Sequence, residues 1–363
     1  MQKNTKILVG FLGDSKGGAT QYIINMIKHI DRNGIEFDLL THCKTLSFEK
    51  ELIELGCKVI VVPNKMNNRA DYYRKLNDTI IEGQYDVVYI HKSTLSNIDI
   101  LKIANKYRVK KVIVHAHSSK VEGNFITKVF HYINRELLKK YNIIKLACTN
   151  EAGNFMFGRD SKYKVIKNGI DLERFGYDKE ASKELKNKLN ISDKIVIGHM
   201  GRFVPLKNHK YLIELFKEIN ILNHNTQLLL CGDGPLREEI QKYSQELNVG
   251  ECVTFTGNVD NPQDYLSTMD VFILPSLFEG APLVAIEAMA NGCDVYLSDT
   301  LTREINIDNY ITYFSLQGDK KSMAKLILEK CKKKECKINN IESLKKNKFD
   351  INDSIETVRK VLV

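Results

Sequence analysis

The chain has 363 residues, 43% hydrophobic and 27% charged, long enough for two cores and too apolar for general disorder. Lysine and arginine number 54 against 45 acids, a formal charge of +9, which suits anionic partners such as nucleotides, lipid phosphates or an acidic membrane leaflet without choosing among them. No apolar run approaches the roughly 20 residues of a spanning helix, and Ile7 to Leu12 is too short for a signal-peptide core, so a cytoplasmic location is expected.

In chain order, KILVGFL, TQYIINMIKHI, EFDLLTH, SFEKELIEL and CKVIVVP alternate short apolar runs with amphipathic ones, the rhythm of β-α-β-α-β. It continues through YDVVYIH, a helix around Leu95 to Tyr107, the strand KKVIVHAH, a helix from about Phe125 to Lys140, and IIKLACT. Near-continuous Val/Ile runs mark strands covered on both faces, hence a parallel, doubly wound sheet. A charged, poorly periodic stretch from Leu172 to Lys194 reads as a hinge, after which KIVIGHM, NHKYLIELFKEINIL, TQLLLCG and PLREEIQKYSQEL restart the pattern. CVTFTG, a short helix near Asp264, DVFILPS, PLVAIEAMANG and DVYLS complete a second α/β domain, and Ile355 to Val363 reads as a terminal helix. The lysines Lys330, Lys332, Lys333, Lys334 and Lys337 read as a solvated face. Cys57, Cys148, Cys231 and Cys252 sit in or beside strand-like runs as small hydrophobes, and Cys331 with Cys336 lacks the second pair a zinc site needs.

Ligands of open α/β sheets bind beyond the carboxyl ends of the strands. After the first strand, Gly13, Gly17 and Gly18 lead into a helix whose backbone N–H groups suit an anionic or polyhydroxylated ligand, although a tight turn explains them equally. His115 and His117 share one side of a strand by its two-residue period. With no acid or third histidine near in sequence, a sugar contact for His117 is the better reading than a metal pair. Gly201 ends a strand, and Arg202 and Lys207 follow just before a helix, an arrangement suited to a diphosphate. In FEGAPLVAIEAMANG, Glu279 lies in a loop, Gly280, Ala281, Pro282 and Leu283 turn the chain, and Glu287 lies about a turn inside the following helix. Backbone N–H groups around Ala281 and Leu283 suit phosphate oxygens, Glu287 a vicinal ribose diol, and Glu279 sugar hydroxyls; helix capping is the plainer alternative for Glu279.

The segments GGATQYIINM, VIVHAHSS, VIKNGID, GRFVPLKNH, CGDGP and FEGAPLVAIEAMANG, in this order, resemble the retaining GT-B glycosyltransferases of family 4, in their bacterial capsule and exopolysaccharide branch. The resemblance implies two Rossmann-like doubly wound domains facing a cleft. Residues 1–171 would form the acceptor domain, with 345–363 crossing back to it, and residues 172–344 the nucleotide-sugar domain. It places the donor diphosphate on Arg202 and Lys207, the ribose on Glu287 and the transferred sugar on Glu279. His117 would lie near the anomeric centre, Gly17 and Gly18 would line the donor, and Asn258 and Val259 would read the nucleobase. The chain departs from the family at Thr20, where Glu is usual after Gly-Gly-Ala, and at Gly292-Cys293-Asp294, where Gly-Leu-Pro is common.

The resemblance thus implies retaining, metal-independent transfer of a hexose or N-acetylhexosamine, most simply from a UDP-sugar. The acceptor would be a saccharide or polyprenyl-diphosphate-linked saccharide, with no cofactor and no nucleic-acid partner. A sugar-nucleotide epimerase and a non-catalytic saccharide-binding protein are the rivals, the latter disfavoured mildly by the absence of tryptophan. The helix NFITKVFHYINRELLKK sets Phe125, Val129, Phe130, Ile133 and Leu137 beside Lys128, Arg135, Lys139 and Lys140. It reads either as a peripheral contact with the inner membrane face or as an ordinary core-facing amphipathic helix.

Overall fold

A computed structural model of the chain describes residues 4–14, 18–121, 124–333, 337 and 340–363. The chain divides into two compact units, Met1–Gly169 with Ile351–Val363, and Ile170–Asp350.

In the first unit the strands are β1 (Thr5–Leu12), β2 (Ile35–Thr41), β3 (Lys58–Val61), β4 (Val87–Lys92), β5 (Lys111–Ala116), β6 (Ile144–Ala147) and β7 (Lys164–Val165). Between them run α1 (Gly18–His29), α2 (Glu49–Glu54), α3 (Arg69–Gly83), α4 (Asp99–Lys106), α5 (Phe125–Leu138) and α6 (Asn150–Phe157). All strand pairs are parallel, in the order β3-β2-β1-β4-β5-β6-β7. Ile7, Leu8 and Val9 of β1 are fully buried, the double-sided cover expected of a parallel sheet. Helix α3 goes beyond the sequence reading. Asn68 caps it by accepting from the Asp71 N–H, and only Tyr72, Leu76, Thr79 and Ile80 of its fifteen residues are buried, too thin a stripe to announce itself.

The second unit comprises α7 (Lys179–Lys188), β8 (Ile195–Met200), α8 (His209–Leu222), β9 (Thr226–Cys231), α9 (Arg237–Glu246), β10 (Val253–Gly257), α10 (Pro262–Thr268) and β11 (Val271–Leu274). Then come α11 (Leu283–Ala290), β12 (Asp294–Ser298), β13 (Ile311–Phe314), α12 (Lys320–Lys333) and α13 (Ile341–Lys346); α14 (Ile351–Leu362) belongs to the first unit. The parallel sheet of the second unit has the order β10-β9-β8-β11-β12-β13.

Three boundaries need correction. The stretch 172–194 is no free hinge: Asp178 caps α7 through the Ala181 N–H, and its own N–H donates to Ser267 Oγ at 3.2 Å. Only Ser182 of that helix is buried, which is why no apolar period showed. The passage between units lies instead at Gly169/Ile170 and Asp350/Ile351, and the Ile170 N–H donates to Phe349 O at 2.9 Å, so the two crossings run side by side. Residues 345–350 stay with the second unit because Leu344 and Phe349 are buried in its core, whereas Ile351, Ile355, Val358 and Leu362 of α14 join the core of the first. The lysine cluster is also not uniformly solvated. Lys337 donates to Leu266 O and to Asn291 Oδ1, both at 2.8 Å, while Lys334 lies outside the described residues.

Cys57, Cys148 and Cys231 are buried thiols and Cys252 is half-buried. Cys336 lies outside the described residues. No helix among the described residues is long and apolar enough to cross a membrane.

Candidate functional site

Parallel strands end on one edge of their sheet, so in the second unit the loops after β8, β9, β10 and β11 gather at a common rim. Glycine builds that rim. Gly201 N–H donates to Cys231 O at 2.9 Å, Phe203 N–H to Asp233 O at 3.0 Å, and Gly232 N–H to Gly257 O at 2.8 Å. Gly232 has φ +134°, and a Cβ there would stand 2.2 Å from Gly201 O; the CGDGP motif is therefore first a packing device. Gly201 also lies under the Lys207 stem, whose Cε would be 3.2 Å from a Cβ at that position.

The loop after β8 makes a short 3₁₀ turn, Pro205–Lys207, that brings Lys207 inward. Lys207 Nζ meets Glu279 Oε1 at 2.7 Å, with only 17% and 16% of the two side chains exposed. The loop after β11 is held alongside by the Leu277 N–H, which donates to Leu206 O at 2.9 Å. Two residues read separately in the sequence, a cation for phosphate and a carboxylate for sugar, thus form one ion pair 72 positions apart in the chain. Arg202, on the same loop, is exposed. Asn258 is exposed after β10, and Val259 packs against the core beside it.

Glu287 sits on the fifth residue of α11, as its spacing from Pro282 required. Its side chain keeps some surface, but burial of the carboxyl raises its pKa from 4.5 to about 7, with the positive charge of Arg174 pulling the other way. Arg174 escaped the sequence reading because it stands outside every motif; its Nε donates to Gln263 Oε1 at 3.3 Å. At the mouth of α11 the Leu283 N–H already donates to Ala281 O at 2.9 Å. This bond tightens the turn at the start of the helix. Gly280, Ala281 and Pro282 form the rest of that turn, in which Pro282 is the N-cap and makes no side-chain cap hydrogen bond.

In the first unit a second cluster forms where β4 and β5 end. The registry sets His91 beside His115, and His117 follows just past β5, anchored by its N–H donating to Lys92 O at 2.9 Å. His91 Nδ1 and His117 Nε2 share a hydrogen bond of 2.8 Å, and Tyr89 Oη and His115 Nδ1 one of 2.7 Å. No third histidine stands near in sequence, and none was needed: strand pairing, not chain proximity, brings His91 in. Among the described residues these three form the one group able to present three metal-ligating atoms, all within 4.8 Å. Two of those imidazoles already bond to each other, so the cluster holds together without an ion. His91 Nε2, His115 Nε2 and His117 Nδ1 have no hydrogen-bond partner among the described residues, and of the three rings only that of His117 lies beyond the strand end. Lys92, also missed, is pushed down to about 8 by burial, with Asp99 opposing. Its place directly after YDVVYIH, at a strand's carboxyl end, was the available signal. Gly18 opens α1, and a Cβ there would meet no atom within 4 Å, so packing does not demand glycine; Gly17 lies outside the described residues. Thr20 is buried in α1.

Burial holds six histidines below their ordinary range: His117 at about 3, His209 at about 4, and His91, His115, His131 and His199 also lowered. Unfolding frees each to take a proton below about 6.5. Their contribution is present above that pH and lost as pH falls; for His117 and His209 the loss is about 1.4 kcal/mol per unit each between about 6.5 and their folded values. Urea midpoints should drop steeply from pH 6.5 to 5, and the first unit, with four of the six, should unfold first; a flat profile would contradict neutral burial of these rings.

Two doubly wound, parallel-sheet units are the architecture of the GT-B class of sugar-transferring enzymes. Residues 16–174 match the family model for Glycosyltransferase Family 4, and residues 181–347 that for Glycosyl transferases group 1. The chain belongs to this glycosyltransferase family. It is 30% identical over 311 residues to the putative glycosyltransferase EpsF of Bacillus subtilis, covering 83% of this chain and 81% of that protein. It is 24% identical to CapH of Staphylococcus aureus, a capsular polysaccharide biosynthesis glycosyltransferase, over 98% of each. Anabaena HepE, solved in complex with UDP-glucose, superposes with a TM-score of 0.80 over 99% of both chains at 20% identity.

Proposed function

We propose that the protein is a retaining, metal-independent transferase that moves a hexose or N-acetylhexosamine from a UDP-sugar to a saccharide growing on a lipid diphosphate. The observation that carries this is the Lys207–Glu279 pair on the rim that also bears Glu287 and Arg202. In this reading Lys207 and Arg202 take the diphosphate, Glu287 accepts from the ribose hydroxyls, Glu279 orients the sugar, and Asn258 and Val259 flank the base. In the first unit, His117 offers Nδ1 to a sugar hydroxyl; its neutral imidazole carries no charge to repel or attract the reacting centre.

Transfer breaks the bond between the anomeric carbon and the phosphate oxygen and forms one from the same face to the acceptor oxygen. The acceptor proton passes to the departing phosphate oxygen, so no protein base is required. The charge gathering on that diphosphate is what Lys207 and Arg202 stabilise. The UDP moiety is supported by the likeness to HepE, and a polysaccharide product by the likeness to CapH.

A panel of nucleotide sugars tested for thermal stabilisation should single out one uridine donor, since a ligand at 100 times its Kd adds about 2.7 kcal/mol to the native state. With that donor, NMR of the product should show the donor's anomeric configuration retained, at an unchanged rate in excess EDTA. Inversion, loss of activity in EDTA, or donor turnover without acceptor would each overturn part of this reading, the last in favour of an epimerase.

A further inference from the structure

The histidine cluster of the first unit holds three buried ring nitrogens that nothing among the described residues satisfies: His91 Nε2, His115 Nε2 and His117 Nδ1. Buried polar atoms are nearly always paired, so three orphans in one cluster point to a shared partner. The fold explains why they meet. Parallel pairing sets His91 of β4 against His115 of β5, and the two-residue period of a strand puts His117 on the same face. Tyr22 of α1 closes that face, its ring centroid 5.2 to 5.7 Å from those of all three imidazoles.

The partner these atoms suit is a transition-metal cation. Each ring brings one nitrogen into a group spanning no more than 4.8 Å, and His91 Nδ1 and His117 Nε2 already stand 2.8 Å apart. A tetrahedral zinc site holds its nitrogens roughly 3.3 Å apart, a spacing that small ring rotations reach. Burial keeps all three imidazoles neutral, the form that offers a lone pair to a metal. Tyr89 Oη occupies His115 Nδ1, the kind of outer bond that fixes which nitrogen of a ligating ring is free. Among the described residues no carboxylate or thiolate joins the group, so oxygen-seeking ions such as Mg²⁺ find no ligand there.

We propose that His91, His115 and His117 form a zinc site of three imidazoles with its fourth position open, and that zinc held there blocks transfer. Occupancy is optional, because the His91–His117 hydrogen bond holds the rings without an ion, and binding exchanges that bond for metal–nitrogen bonds. The cation takes up the His117 ring otherwise offered to a sugar hydroxyl and sets a double positive charge where a neutral group stood. A reaction that needs no metal is thus sensitive to one. The site stands on the geometry of the cluster; the inhibition rests on the role proposed above for His117.

The full chain is stripped with EDTA, desalted and titrated with Zn²⁺ by calorimetry in the absence of substrate. One equivalent is expected to bind, with no uptake of Mg²⁺ or Ca²⁺. Co²⁺ in its place should show the visible bands of tetrahedral nitrogen coordination and no thiolate charge-transfer band, which sets the site apart from the cysteines. His91→Gln, at the half-buried member of the cluster, should weaken zinc binding at least about 100-fold, and Tyr89→Phe about tenfold. Both variants should melt cooperatively without zinc, and zinc should raise the melting temperature of the wild type more than that of either. Zinc should stop transfer by the wild type, reversibly with EDTA, and leave His91→Gln at its own zinc-free rate. No uptake, equal uptake by wild type and His91→Gln, or a thiolate spectrum would overturn the site. Full transfer by the zinc-saturated wild type would overturn the inhibition, and with it the sugar contact of His117, while the site stands.

Discussion

Lys207→Ala is expected to lower transfer kcat/KM by on the order of 100-fold or more, with weaker binding of the nucleoside diphosphate. The reason is the position of its ammonium: the Pro205–Lys207 turn carries it inward, and its 2.7 Å contact with Glu279 leaves it oriented and mostly screened from water. Such a cation strengthens its hold as charge moves onto the departing phosphate. Glu279→Gln should behave differently. It removes the counter-charge but leaves the cation, so diphosphate binding should hold or tighten while kcat falls through loss of sugar orientation. Because the two side chains touch, the double variant should be less impaired than the product of the single effects. Kinetics on the three variants with isothermal titration of UDP checks this, and full activity in both single variants would remove the proposed site.

Glu287→Gln is expected to weaken nucleotide binding and abolish a pH dependence that the wild type should show. A carboxylate accepts two hydrogen bonds from a ribose diol only when ionised, and burial has raised this group to about 7. Donor affinity should therefore fall about tenfold per unit below pH 7 in the wild type and stay level in the variant. A 2′-deoxy nucleotide should lose less from the substitution than its ribo counterpart. The stability effect has the opposite sense. A carboxyl whose folded pKa lies above its unfolded value contributes fully below about 4.5, and that contribution is lost as pH rises through about 7. Glu287→Gln should thus melt later than the wild type at pH 8, by no more than about 3 kcal/mol since residual solvent contact lessens the shift. Titrations of UDP and 2′-deoxy-UDP at pH 6 and 8, with melts at both, decide it; parallel pH profiles for the two proteins would exclude Glu287 as the ribose ligand.

Much of this was legible in the order of residues. Near-continuous Val/Ile runs announced β1, β4, β5, β8 and β11, because a strand buried on both faces has few other ways to be written. The positions of Glu279 before α11 and Glu287 within it followed from local spacing alone, and so did Gly201, Arg202 and Lys207 after β8. Helices with few apolar residues on any face did not show: α7 buries one serine and is held by a cap and a neighbour's hydroxyl.

The features readable from residue order are therefore those that depend on neighbours in the chain: parallel strands, the turns after them, and which residue types those turns carry. Features that depend on partners far along the chain waited for the folded molecule. Strand pairing placed His91 against His117, and the meeting of two loops joined Lys207 to Glu279. Burial raised the pKa of Glu287. Helix α5 shows the division most sharply. Its period announces an apolar side and a polar side, but the direction each faces was settled by Leu95, whose backbone takes up His131 and Asn134 and turns Phe130 and Ile133 to the outside.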